Sequence, residues 1–129
     1  MEESQVASLR IALADDDPAM RDVLGRILRK LGHEVCFMAE DGTDLLEGLK
    51  DHRVDLVITD LDMPLLDGLA AAEEVAALGP PVILLSGHAD FELICLESEP
   101  VVTALRKPVD VQSLEQAIAI AVAGHNPRE

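Results

Sequence analysis

Short apolar runs alternate five times along the chain with stretches in which apolar residues recur every three or four positions. The first run, "RIALA" at residues 10–14, reads as a buried strand. After it, Met20, Val23, Leu24, Ile27, Leu28 and Leu31 form one stripe at helical spacing. Pro18 suits the first turn of that helix and Gly32 its C-terminal stop. "EVCFMA" (34–39) is a second strand, and Leu45, Leu46 and Leu49 mark a second helix entered at Asp41-Gly42. "VDLVITD" (54–60) is a third strand, followed by a helix from Leu69 to Leu78 that Gly79-Pro80-Pro81 ends. "VILLS" (82–86) precedes a short helix around Phe91–Leu96. "VVTALRK" (101–107) precedes a last helix marked by Val111, Leu114, Ala117, Ile118, Ala121 and Val122, closed by Gly124.

Strands that are apolar on both faces and alternate with helices belong to parallel sheets covered on both sides. The expected fold is therefore α/β: a flavodoxin-like doubly wound sandwich with a five-stranded parallel sheet, order 2-1-3-4-5, and five helices. A single domain is expected over residues 1–129, with its core at about 8–123.

Composition narrows this picture. Apolar residues make up 49% of the 129, enough for a core and too many for a disordered chain. Aromatics make up 2%, Phe37 and Phe91, so the core must be aliphatic. Ten basic against 25 acidic residues leave a net charge of -15, which repels phosphate backbones and argues against direct nucleic-acid binding. Such acidity attracts divalent cations and basic partners, although on charge alone it does no more than keep a protein soluble. Cys36 and Cys95 lack metal-ligand spacing and read as packed thiols in a reduced, cytoplasmic setting. The opening "MEESQVASLR" does not have the form of a signal peptide, and no apolar run is long enough to span a membrane.

In open α/β sheets ligands bind beyond the carboxyl ends of the strands. The first strand runs into Asp15-Asp16-Asp17, the third ends in Asp60, the fourth in Ser86 and the fifth in Lys107. Clustered carboxylates repel one another unless a cation offsets their charge. Oxygen-only ligands favour a hard ion such as Mg²⁺ or Mn²⁺. The lysine adds a positive charge, attracted by about 4 kcal/mol to a carboxylate about 4 Å away at intermediate dielectric. A carboxylate, a metal, a hydroxyl and an ammonium together suit phosphoryl transfer, with the carboxylate as nucleophile and the cations neutralising the phosphoryl oxygens. Taken singly, each residue has a plainer reading: Asp17-Pro18 as helix cap and first-turn proline, Ser86 as a turn residue before Gly87, Lys107 as a solvated charge. It is their joint placement that points to a site. His33, His52, His88 and His125 are scattered and read as surface or loop residues.

"LADDDPAMR" (13–21), "DLVITDLDMPLLDG" (55–68), "VILLSG" (82–87) and "LRKPV" (105–109), in that order, resemble the receiver domains of two-component response regulators, the chemotaxis receivers among them. The resemblance spans roughly residues 8 to 123. It implies that Asp60 is the phosphoacceptor, that Asp16 binds Mg²⁺ directly and Asp15 mainly through water, and that the backbone carbonyl of Asp62 adds a ligand. It makes Ser86 and Lys107 the phosphoryl-contacting pair. It further implies a sensor histidine kinase or histidine phosphotransfer protein as donor, an unknown downstream protein target, and no enzymatic turnover beyond the domain's own phosphorylation and slow dephosphorylation. Homodimerisation is left open. Where the family usually carries Tyr or Phe, three residues before the lysine, this chain has Ala104, which has no χ angle. The conformational response is therefore expected in the loop 86–90 and the helix around Phe91–Leu96.

The main rival is a haloacid-dehalogenase-type phosphohydrolase using Asp60 and Asp62, but there the nucleophile usually follows the first strand, and Pro64 departs from its motif. A flavodoxin-like cofactor module would need a phosphate-cradling loop where Asp15-Asp16-Asp17 stands. A receiver used only for binding is disfavoured because the acidic pair, acceptor, hydroxyl and lysine are all retained. With Met1 just ahead of the first strand and nothing resembling a DNA-binding domain after residue 123, a stand-alone or N-terminal receiver is expected.

Overall fold

The computed structural model describes residues 8–60, 80–86, 103–106 and 109–123. In chain order these form β1 (Arg10–Ala14), α1 (Pro18–Lys30), β2 (Glu34–Ala39), α2 (Gly42–Asp51), β3 (Leu56–Asp60), β4 (Val82–Ser86), β5 (Thr103–Arg106) and α3 (Val111–Ala123). The helices expected at 69–78 and around Phe91–Leu96 lie outside the described residues.

All five strands pair in parallel in the order β2-β1-β3-β4-β5, as the alternating pattern requires. Alternate strand residues point to opposite faces. Ile11, Leu13, Leu56, Ile58, Ile83 and Leu85 meet Leu24 and Leu28 of α1 and Leu114, Ile118 and Ala121 of α3 in one buried cluster. The intervening Ala12, Val57, Val82 and Leu84 are buried too, as is Leu45 of α2, outside that cluster. Both faces of the three central strands, β1, β3 and β4, are thus withdrawn from water, which explains why they read as continuous apolar runs.

Local signals set the helix ends. Asp17 caps α1 with its carboxylate accepting the Ala19 N–H at 3.0 Å, and Pro18 follows in the first turn. At the other end Gly32 takes φ +95°. The Gly32 and His33 N–H groups donate back to the carbonyls of Arg29 and Leu28, both at 3.0 Å, closing the helix in a left-handed turn that favours glycine. Asp41 and Asp110 cap α2 and α3 in the same way as Asp17, through the N–H groups of Asp44 and Ser113. The hydrogen bonds from the Ser113 backbone and side chain hold the Asp110 carboxyl below its ordinary pKa.

Two details differ from expectation. The third strand begins at Leu56 rather than residue 54; Asp55, just before it, meets the start of β1 with both its backbone and its side chain, its N–H donating to the Arg10 carbonyl at 2.7 Å and its carboxylate accepting the Arg10 N–H at 2.9 Å. His33 lies in the turn between α1 and β2, as a loop residue, but is buried rather than at the surface: its Nδ1 accepts the Leu9 N–H at 3.1 Å, and burial lowers its pKa while Glu115 partly opposes that.

Candidate functional site

The strand order reverses between β1 and β3, and this switch point is where a doubly wound sheet opens a crevice. Ala14 pairs with Thr59, so the residues that follow, Asp15 and Asp60, leave neighbouring strands side by side. One carboxylate oxygen from each of them and one from Asp16 all lie within 4.8 Å of one another. Asp15 is fully buried and Asp60 is 3% exposed, whereas Asp16 faces solvent. The cluster therefore has two sunken carboxylates and one at its mouth.

Backbone and side-chain bonds hold the turn that carries the pair. The Asp15 N–H donates to the Ala39 carbonyl of β2 at 3.1 Å. Its Oδ1 accepts the Asp17 N–H at 2.9 Å. Its carbonyl accepts from Nη1 of Arg21 at 2.6 Å. On β3 the Thr59 hydroxyl donates to the Asp60 carbonyl at 3.2 Å.

On the far side, Asp60 pairs with Leu85, so Ser86 comes one position later at the end of β4. Ser86 in turn pairs with Arg106, which immediately precedes Lys107. The backbone thus brings the ends of β3, β4 and β5 to one rim, as expected. Asp62 and Lys107 lie outside the described residues. Asp17, grouped with the acidic residues in the sequence, serves as a helix cap and is not among the three clustered carboxylates.

Three carboxylates with no nitrogen or sulfur donor among them form the ligand chemistry of a hard divalent cation, and their spacing fits one ion. Two of the three are buried, where mutual repulsion is least screened and a cation gains most.

The family model of the response regulator receiver domain matches residues 11–119, and the chain belongs to that family, the receiver domains of two-component response regulators. It is 37% identical over 120 residues to the transcriptional regulatory protein GlrR of Escherichia coli, covering 91% of this chain and 27% of that protein. It is 34% identical over 116 residues to the transcriptional regulatory protein PdtaR of Mycobacterium tuberculosis, covering 88% of this chain and 57% of that one. Its structure is similar to that of a response regulator receiver domain protein from Clostridium thermocellum, with a TM-score of 0.81, 31% identity, and 92% and 96% of the two chains covered. The chain thus spans only part of these regulatory relatives, and matches the solved receiver domain over nearly its whole length.

Sequence reasoning reached the acidic trio but overlooked Arg21. The residue lies inside the "LADDDPAMR" segment, but only the tertiary structure shows its bond to Asp15. A basic residue opening a helix that has no acid in its first turn is the one signal that could have singled it out.

Proposed function

We propose that this chain is a phosphoacceptor switch in which Asp60 takes a phosphoryl group from a phosphohistidine of a sensor kinase or phosphotransfer protein. An oxygen of the Asp60 carboxylate attacks phosphorus in line, the P–N bond breaks, and the imidazole leaves with the electron pair and takes up a proton. A divalent cation would be held by Asp16, Asp60 and the backbone carbonyl of Asp62, with Asp15 engaging it mainly through water. A bound Mg²⁺ or Mn²⁺ would neutralise charge on the phosphoryl oxygens. Lys107 supplies a second positive charge, and Ser86 donates a hydrogen bond to the transferred group. The protein changes partner binding in response, and acts on no substrate other than its own phosphoryl group. Family membership gives the phosphohydrolase alternative no support.

The observation that carries this reading is the convergence of Asp15, Asp16 and Asp60 at the switch point of a receiver fold. Acetyl phosphate with Mg²⁺ should add one phosphoryl group, measured by intact-protein mass. Asp60→Asn should abolish the addition, and undiminished labelling of that variant would reject the assignment.

A further inference from the structure

Arg21 occupies an unfavourable place for a cation. It lies one turn into α1, at the end of a helix where the macrodipole favours anions. Its guanidinium is drawn to the Asp15 carbonyl at 2.6 Å, a short charge-assisted bond. Among the described residues, Asp15 is thereby held at its N–H by β2, at its carboxylate Oδ1 by the Asp17 N–H, and at its carbonyl by Arg21. The carbonyl is the informative one. It belongs to the peptide plane joining Asp15 to Asp16, and a peptide plane is rigid. Fixing its oxygen sets the rotation of that plane, and with it the direction in which Asp16 leaves the strand. Asp16 is the exposed member of the trio and has the least packing to orient it.

We infer that Arg21 is a positioning residue, which aims the Asp16 carboxylate at the cation site by holding the Asp15–Asp16 peptide. This rests on the phosphoacceptor reading above. The idea competes with a simpler one, in which Arg21 is only a counter-charge for the acidic turn. The two predict opposite signs. Removing a mere counter-charge leaves the carboxylates more negative and tightens divalent-cation binding. Removing a positioning bond loosens a ligand and weakens it, by about ten-fold on the scale of outer-sphere ligand partners.

The test uses the full chain with Mg²⁺ as the probe, comparing wild type with Arg21→Met. Affinity is read by calorimetry at constant ionic strength, and the Asp16 and Asp17 amides by hydrogen exchange in EDTA. About ten-fold weaker Mg²⁺ binding with faster exchange at Asp16 is the expected result. Equal or tighter Mg²⁺ binding in Arg21→Met overturns the inference. Arg21→Ala, which removes the donor and is a good helix former, carries the same expectations and the same refutation should Arg21→Met not fold. Wild type that binds no Mg²⁺ at all would instead remove the phosphoacceptor reading, and the inference with it.

Discussion

Within the site, single residues carry opposing duties. On the proposed reading, Asp15, Asp16 and Asp60 stay close enough to share a cation, which sets their charges against one another when none is bound. Such a site is built at some expense to stability. Asp16→Asn is therefore expected to melt higher than wild type in EDTA, because one negative charge is gone. It should also bind Mg²⁺ at least about ten-fold more weakly, since even outer-sphere partners carry that much. Thermal melts with and without Mg²⁺ check both halves. A variant as stabilised by Mg²⁺ as wild type would exclude Asp16 as a ligand. Cys36, by contrast, has no part in this chemistry: burial raises its thiol pKa, and its Sγ donates to the Ile11 carbonyl at 3.4 Å.

Among the elements, β2 shows how helices are seated on an edge strand. Phe37 lies against Gly48 of α2 so closely that a Cβ there would collide with the ring. The same ring packs on His52, with centroids 4.8 Å apart, and the His52 Nδ1 lies 2.9 Å from the Gly48 carbonyl. Glycine is a poor helix former, so its place within α2 reflects this close approach rather than propensity. Gly48→Ala, a change that would strengthen an isolated helix, should instead destabilise the protein by about 1–3 kcal/mol through overpacking. Denaturant unfolding gives the sign directly, and stabilisation would show that the ring moves aside freely. A second irregularity in β2 is a shift in its pairing with β1 between Ile11 and Ala12, which leaves Cys36 between the pairs Ile11–Val35 and Ala12–Phe37. Residues 34–39 were legible as a strand, but the extra residue was not, because period-two hydrophobicity does not register a bulge whose neighbours are all apolar.

At the scale of the whole molecule, His33 links parts that are distant in sequence. Its ring accepts from Leu9 before β1, its backbone N–H closes α1, and Glu115 approaches from α3. Nδ1 can accept only while that nitrogen is deprotonated, and burial depresses the pKa below the ordinary 6.5. Below pH 6.5 the unfolded chain gains its proton first. The stabilisation is thus complete above that pH and is lost progressively as pH falls toward the lower folded value. His33→Asn, which keeps an acceptor but does not titrate, should flatten this part of the stability profile just below pH 6.5. Unfolding free energies across that range test it, and an unchanged slope would assign the dependence to other groups. No helix among the described residues is long and apolar enough to cross a membrane.

The five strands, the cap at Asp17, the entry of α2 at Asp41-Gly42, and the order of the acidic, hydroxyl and basic residues at the strand ends could all be read from the chain itself. Each rests on a local rule: apolar periodicity, a side chain that satisfies a helix N-terminus, or a parallel sheet that places its polar residues at one edge. What only the tertiary structure decided is how these local pieces meet in space. Asp17 separated from the acidic trio because its carboxylate was taken by the helix it caps. His33 proved buried because α1, β1 and α3 close around a turn that looks polar in isolation. Arg21 met the Asp15 carbonyl because the first turn of α1 folds back over the end of β1, a contact that no periodicity or spacing encodes.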